Sequence, residues 1–347
     1  MKAALIEFND FHDELLYSQL KFLKDGKYST TLIANEKLKN QTEIYEGLTE
    51  KVIFYEKSTL KRLVKFIRIF ILLFSCDKII FNTASSKIEI IILCLLLPKR
   101  IEKFGTLHNL NKISQSTSQK LISKGIKHYF VINDYLLKSR FLNGFQTKTY
   151  SFYPIFFPYD TMQEELNKSE NEIWFCIPGS VSSKRRDYQS VLEVAKQLKG
   201  NNKLKFIFLG KISKSNKEHS EFLKFIQENG LENLFLLFDS FIDNNLFHTY
   251  LHKSDFLFQP MNETHSQYVE QKTSGIFNLA FAYKKAVITH ESMRIIDDLQ
   301  DISFFYKDRI ELKETIIELL NSNINKIQEK EKWQYEFQKN KYLSVIS

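Results

Sequence analysis

Short apolar, β-branched runs alternate with amphipathic stretches along this chain, and that alternation constrains the fold more than any other feature. In the first half, AALIEF (3–8), TTLIA (30–34), KVIFY (51–55), KIIFN (78–82), IEKFGTL (101–107) and HYFVIN (128–133) predict strands. Residues 12–24, the stretch after 57, 86–97 and 111–124 predict the intervening helices, and Pro98 stops the third. Such alternation implies βαβ units and a parallel sheet. Residues 154–172 break the pattern with Pro154, Pro158 and the polar run DTMQEELNKSENE. The pattern then restarts. EIWFCIP (172–178), KFIFLG (205–210), LFLLF (234–238), FLFQP (256–260) and AVIT (286–289) predict strands. Helices are expected at 187–199, 216–229, 244–252, 270–283 and 308–321, with a last charged helix at 326–341 anchored by Trp333, Tyr335 and Phe337. The expected fold is α/β, with two doubly wound Rossmann-like domains facing a cleft. They would occupy 1–157 and 172–325, joined by a linker at 158–171, with 326–347 packing back toward the first domain.

The chain has 347 residues, 43% hydrophobic and 26% charged, enough to build large cores and exclude wholesale disorder. The net charge of +8 favours anionic partners but is spread over a long chain. No aromatic-basic interleaving of an RNA-binding sheet accompanies it, so nucleic acid is not an expected partner. Cys76, Cys94 and Cys176 are far apart and odd in number, which fits a reducing compartment better than a disulfide framework or a zinc cluster. The N-terminus meets acids after five or six apolar positions and reads as a buried strand, not a signal peptide. IFILLF (69–74) and IEIIILCLLL (88–97) are the longest apolar runs, and both are too short to span a bilayer.

The first of these runs follows a basic segment. On a helical wheel Lys61, Arg62, Lys65 and Arg68 share one face, and Leu60, Leu63, Ile67, Phe70, Ile71 and Phe74 the other. The pattern fits a helix lying on an anionic leaflet through residues 57–74. It fits equally a surface helix whose apolar face covers the sheet.

Ligands of doubly wound sheets bind beyond the carboxyl ends of the strands, so the loops there carry the functional signal. After strand 172–178 come Gly179, Ser180, Val181, Ser182, Ser183, Lys184, Arg185, Arg186 and the helix start at Asp187. A glycine, small residues, cations and a helix N-terminus suit a diphosphate. An ordinary basic loop capped by Asp187 would look the same. After FLFQP, the dense polar loop 261–275 includes Tyr268, Glu270, Lys272, Thr273, Ser274 and Gly275, with free N–H groups expected at the helix entry. It lacks the glycine frame of a P-loop. In the first half, Asp10, His12 and Glu14 crowd the loop after the first strand, and His108 follows IEKFGTL. They are candidate general bases, although acids at a helix entry also serve the helix dipole. The sequence has no HExxH, GxSxG, CxxC pair or GxGxxG.

The order of these features resembles the GT-B glycosyltransferases, in particular group 1-like enzymes of bacterial surface-polysaccharide synthesis. GSVSSKRRDYQSVLEVAKQL is similar to that family's first strand–loop–helix of the C-terminal domain, with Arg185 best matching the basic residue that faces the donor diphosphate. KFIFLG, HKSDFLFQP and QKTSGIFNLAFAYKKAVITH match the landmarks that follow. The family's glutamate pair falls at Gln271 and Leu279, so the usual carboxylate contact to the donor is missing, and Glu270 stands one position away. The resemblance implies a metal-independent glycosyltransferase without cofactor, using a nucleotide diphosphate sugar as substrate. The C-terminal domain would hold the donor through Gly179, Ser180, Lys184, Arg185, Gly210, Lys211, Tyr268, Glu270, Lys272, Thr273, Ser274 and Gly275. The nucleobase would sit near Gly210–Lys211 and Phe238–Phe241. The N-terminal domain would hold a glycan or lipid-linked acceptor. The expected location is cytoplasmic, peripheral on the inner face of the membrane. The alternative is a non-catalytic module of the same fold that binds a nucleotide sugar or glycan.

Overall fold

The computed structural model describes residues 1–55, 59–85, 87–159, 166–184, 186–261, 267–321, 327 and 329–347, without the side chains of 41–43 and 59–61. Arg185, residues 262–266 of the polar loop, Lys57, and the side chains of Leu60 and Lys61 therefore lie outside the described residues, as do 160–165 and 322–326. The chain divides into two compact units. Unit 1 comprises Met1–Pro158, Glu270–Thr273 and Lys330–Ser347, and unit 2 comprises Tyr159–Val269 and Ser274–Glu329.

Unit 1 holds β1 (Lys2–Glu7), β2 (Ser29–Asn35), β3 (Lys51–Tyr55), β4 (Lys78–Phe81), β5 (Glu102–Leu107), β6 (His128–Ile132) and β7 (Thr149–Phe152). They form one parallel sheet in the order β3-β2-β1-β4-β5-β6-β7. The connecting helices are α1 (Leu16–Asp25), α2 (Lys39–Thr42), α3 (Thr59–Leu73), α4 (Ile88–Leu96), α5 (Asn111–Gln115) and α6 (Thr117–Ser123). The strands are apolar on both faces because both are covered. Leu5, Leu32, Ile80, Phe104 and Phe130 pack with α1, while Ile6, Ile79, Phe81, Tyr129 and Val131 pack with α3, α4 and α6.

Unit 2 repeats the plan with β8 (Ile173–Pro178), β9 (Leu204–Lys211), β10 (Phe235–Phe238), β11 (Phe256–Gln259), β12 (Ala286–His290) and β13 (Ser303–Tyr306). The order is β10-β9-β8-β11-β12-β13, again parallel. Its helices are α7 (Tyr188–Gln197), α8 (Lys217–Asn229), α9 (Asn244–Lys253), α10 (Gln267–Glu270), α11 (Gly275–Tyr283), α12 (Asp297–Gln300) and α13 (Arg309–Asn321), with α10 ending at the first residue of the unit 1 segment. The last helix, α14 (Tyr335–Ile346), belongs to unit 1. Its Tyr342 ring stacks on Phe130 at 4.7 Å, and Gln338 Oε1 accepts the Tyr153 amide at 2.9 Å.

Several expected boundaries move for identifiable reasons. The helix expected at 111–124 is two helices, because Ser116 turns extended and caps α6 by accepting the Gln119 amide. The helix expected from 270 gives way at 271–274, and α11 begins only at Gly275. The helix expected at 326–341 begins at Tyr335, after an extended Gln334. The four-residue edge strands β7 and β13 are too short to stand out by periodicity.

The basic helix departs most. The side of α3 that covers the sheet is Phe66, Ile69 and Leu73, all buried. Leu63, Ile67, Ile71 and Phe74, expected either on the sheet or opposite a cationic face, are exposed. Arg62 does not join an outward cationic face. Its guanidinium bonds Glu89 on α4 and donates to the Tyr55 hydroxyl at 3.0 Å. The helix is apolar around most of its circumference, so periodicity alone could not say which apolar side turns inward. No described helix is long and apolar enough to cross a membrane.

Candidate functional site

In unit 1 the loops beyond β1, β4 and β5 rest on a buried polar network. Glu7, at the end of β1, is fully buried. Its Oε1 accepts the Asn9 amide and Asn9 Nδ2, both at 2.7 Å, and its Oε2 accepts Asn82 Nδ2 at 2.7 Å and Thr83 Oγ1 at 2.5 Å. Burial raises the Glu7 carboxyl above its ordinary pKa, against the pull of these hydrogen bonds. Asn82 also donates to the His12 carbonyl at 2.7 Å and accepts from Gln19 at 2.5 Å, while Gln19 accepts the Tyr342 hydroxyl of α14 at 3.0 Å. The C-terminal helix thus braces the loop from beneath.

That bracing holds His12 in the left-handed region, at φ 71°, a conformation that costs a non-glycine residue about 1–3 kcal/mol. The result is a cluster. His12 Nδ1 lies 3.1 Å from Glu14 Oε1, and the His12 ring stacks on His108 with centroids 3.7 Å apart. His108 Nε2 donates to the Asn82 carbonyl at 2.8 Å, which leaves its Nδ1 as the lone-pair nitrogen. Burial, then the neighbouring His12, push His108 down to about 3, so its ring is neutral at physiological pH. Desolvation works to raise the half-exposed Glu14 carboxyl, but the hydrogen bond and charge of His12 outweigh it and hold it below its ordinary value. Asp13 moves the other way, to about 6, through burial and the Glu14 charge. Among the described residues, His12, Glu14 and His108 also offer three ligand atoms within 4.8 Å of one another, a spacing that could hold a metal ion. Asp10, the third candidate from this loop, is not part of the cluster and pairs with Lys37 at 2.8 Å.

The segment Glu270–Thr273 is docked on unit 1 by its backbone. The carbonyls of Glu270, Gln271 and Lys272 accept from Ser139 Oγ (2.5 Å), the Leu110 amide (2.8 Å) and the Tyr135 hydroxyl (3.2 Å). Thr273 Oγ1 accepts from Asn133 Nδ2 at 3.2 Å, and Glu270 pairs with Arg140 at 2.9 Å. Asn133 sits at φ 68°, ψ 151°, a region almost reserved for glycine, and its Oδ1 is buried without a partner among the described residues. Nothing in the run HYFVIN marks Asn133 as unusual, so its role is invisible in the sequence.

In unit 2 the ends of β8 and β9 close on each other. A Cβ on Gly210 would overlap the Gly179 carbonyl oxygen, and a Cβ on Gly179, at φ 96°, would crowd Arg186 Nη2 at 3.3 Å. Gly210 is therefore required by close approach, and Gly179 by its backbone angle. The described part of the loop is pinned at several points. Arg186 Nη2 donates to the Pro178 carbonyl at 2.5 Å, the Tyr188 hydroxyl to the Ser180 carbonyl at 3.4 Å, and His219 Nε2 to the Val181 carbonyl at 2.9 Å. Glu218 accepts the Ser183 amide, and Asp187 caps α7 by accepting the Ser190 amide at 3.0 Å. Arg186 Nη1 is buried and meets no hydrogen-bond partner among the described residues. Arg186 thus lies against Gly179, whereas the sequence marks it only as a flank of Arg185. Lys184 and Lys211 are exposed.

The helix entry of unit 2 has its own network. Ser274 accepts from Gln259 Nε2 at 2.8 Å, and Gln259 Oε1 accepts from Thr289 at 3.0 Å. Ser274 is extended, so the first turn of α11 starts cleanly at Gly275. Lys272 and Thr273 lie in the unit 1 segment, while Tyr268, Ser274 and Gly275 lie in unit 2. Phe241 is exposed beyond β10, and Phe238 packs on Tyr250 at 5.4 Å.

By sequence, no family model and no curated protein matches the chain. By structure, many do. HepE from Anabaena, solved in complex with UDP and glucose, matches with a TM-score of 0.65 at 13% identity, over 99% of this chain and 95% of that one. UDP-GlcNAc 2-epimerase from Methanocaldococcus jannaschii matches with a TM-score of 0.62 at 12% identity, over 100% and 99%. Sucrose-phosphate synthase from Thermosynechococcus elongatus matches with a TM-score of 0.63 at 14% identity, over 100% and 94%. The chain therefore has the GT-B fold of two Rossmann-like units, a fold shared here by glycosyltransferases and nucleotide-sugar epimerases.

Proposed function

We propose that this chain is a glycosyltransferase of surface-polysaccharide synthesis. It would take a sugar from a nucleotide diphosphate sugar and pass it to a lipid-linked or oligosaccharide acceptor, with the donor as substrate and no separate cofactor. The observation that carries the reading is the mutual approach of Gly179 and Gly210 beside a buried Arg186 nitrogen that has no hydrogen-bond partner among the described residues. Backbone free of side chains, a guanidinium donor and the start of α7 are what a diphosphate needs. The UDP complex of the HepE structure supports the same assignment. Arg186, Lys184 and the entry of α11 would meet the charge that develops on the leaving diphosphate, and contacts that strengthen in the transition state raise turnover.

On unit 1, His12 and Glu14 form a base and its orienter. With Nδ1–H donating to Glu14, His12 presents Nε2 as the proton acceptor for a hydroxyl, and the neutral His108 ring supports it by stacking. The cytoplasmic face of a membrane is the setting in which such an acceptor would be met.

Two other readings have specific support. The likeness to 2-epimerases, with a histidine–carboxylate cluster at hand, favours epimerisation of the nucleotide sugar itself. The replacement of the glutamate pair by Gln271 and Leu279 favours a non-catalytic binding module. One experiment separates them: incubate the chain with each common nucleotide sugar, with and without a lipid-linked oligosaccharide acceptor, and follow products by NMR. Transfer gives free nucleotide diphosphate that depends on acceptor and is lost in His12→Ala. An acceptor-independent change of sugar configuration would replace transfer by epimerisation. Binding without any product would leave the non-catalytic module.

A further inference from the structure

The outer side of α3 and α4 carries a surface that the site chemistry does not use. Along α3, Leu63, Ile67 and Ile71, continued by Phe74 just beyond its end, follow one another at helical spacing, and all are exposed, Ile71 at 64%. On α4 every outward position is apolar: Ile88 and Leu96 are 59% and 65% exposed, Leu95 is exposed, and Ile91 and Ile92 are half-buried. The two helices share one core cluster on the same face of the sheet, and the Arg62–Glu89 pair ties their N-terminal turns together. The helices are therefore neighbours on that face, and together they expose more apolar side chains than the single scattered ones that need no explanation.

The charge around this surface has one sign. Residues 57–133 contain 14 Lys and Arg against 3 Asp and Glu, and the rest of the chain 35 against 38. The whole of the net positive charge thus belongs to the segment that builds α3, α4 and α6. Of its three acids, Glu89 is buried and paired with Arg62, and Glu102 is paired with Lys78 and Lys127. Arg68, Lys99, Arg100, Lys120 and Lys124 are exposed.

We infer that the α3–α4 face docks on an anionic lipid surface, with the aliphatic stripes entering the headgroup–acyl boundary and the cations meeting lipid phosphates. Three features select lipid over protein. The exposed residues are almost all aliphatic, whereas the centres of protein interfaces favour aromatic, Met and Arg anchors with matched hydrogen bonds. A second copy docked on this face by two-fold symmetry would bring its cations toward their own equivalents. An anionic leaflet matches both the apolar stripes and the single-sign rim. The inference is independent of the chemistry proposed above. It widens the sequence expectation for residues 57–74, since the proposed surface is built from the exposed apolar side chains of two helices.

The test is co-flotation of the full chain with vesicles of phosphatidylglycerol and phosphatidylcholine, or of phosphatidylcholine alone, at low and high salt. Binding to the anionic vesicles should exceed binding to the neutral ones by roughly tenfold or more and weaken with salt. The double variant Ile67→Glu/Leu96→Glu alters only exposed positions, so its thermal midpoint should match the parent while vesicle binding falls roughly tenfold or more. Arg68→Glu/Lys99→Glu should remove the preference for anionic vesicles. Equal binding to both vesicle types, undiminished binding by the folded Ile67→Glu/Leu96→Glu variant, or a parent dimer in light scattering that this variant dissolves would each overturn the inference.

Discussion

Asp13 follows His12 in the chain and His108 stacks on the His12 ring, yet burial shifts the two groups in opposite directions, and each shift has a stability consequence. The Asp13 carboxyl, raised to about 6, lies above its unfolded value near 3.9, so the ionised form is disfavoured in the folded state. That penalty is absent below pH ~4, grows to pH ~6 and is constant above. Asp13→Asn should therefore be more stable than the parent at pH 7.5 by roughly 1–2 kcal/mol, allowing for partial exposure, and equal to it below pH ~4 in urea titrations. No gain at pH 7.5 would show that the carboxylate is better solvated than its surroundings indicate. His108, lowered to about 3, stays unprotonated while the unfolded chain takes up a proton below pH ~6.5, so the stability it contributes is lost as pH falls through that value. His108→Gln keeps a donor for the Asn82 carbonyl and should reduce the loss of stability between pH 7 and 5 by about 1–2 kcal/mol. Candidates such as His12, Glu14 and His108 are visible in the sequence because chemistry-bearing side chains at strand ends stand out against apolar runs. Glu7, Asn82 and Asn133 are not, and Arg186 is visible only as one of three consecutive cations. Glu7 and Asn82 read as the polar ends of strands, and only their mutual hydrogen bonds reveal that they set the backbone of the loop above them.

The strands are legible because burial on both faces writes them as unbroken apolar runs, and a parallel sheet needs such runs. The glycines between elements are legible only as loop formers. Their required role is close approach: β8 and β9 come so near that Gly210 has no room for a side chain against the Gly179 carbonyl. Gly210→Ala should push the Gly179 loop away from the end of β9, cost about 1–3 kcal/mol in stability and weaken nucleotide binding roughly tenfold. Gly200, with nothing near its would-be Cβ, is the control, and Gly200→Ala should stay within about 0.5 kcal/mol of the parent. Equal effects at the two positions would mean the β8–β9 approach is not tight. Helix α3 shows the limit of periodicity at this scale. A wheel with apolar residues over most of its circumference marks a helix but not its orientation, and only the packing of Phe66, Ile69 and Leu73 on the sheet decides it.

At the scale of the whole molecule, two parallel sheets of seven and six strands with interleaved helices put every candidate loop beyond the carboxyl ends of strands, where doubly wound folds bind ligands. This much follows from the alternation of runs. The assignment of Glu270–Thr273 to unit 1, within a stretch that otherwise builds unit 2, does not follow, because its carbonyls bond residues more than a hundred positions away. The central claim is that unit 2 binds a nucleotide diphosphate sugar at the Gly179–Gly210 approach. Isothermal titration calorimetry of the full chain with UDP, GDP and dTDP, and with a sugar of each, tests it most directly. One nucleotide series should bind saturably at one site per chain, and Arg186→Gln should weaken it roughly tenfold, the worth of one charge-assisted hydrogen bond. No heat of binding for any nucleotide up to millimolar concentration, from a chain that unfolds cooperatively, would contradict it.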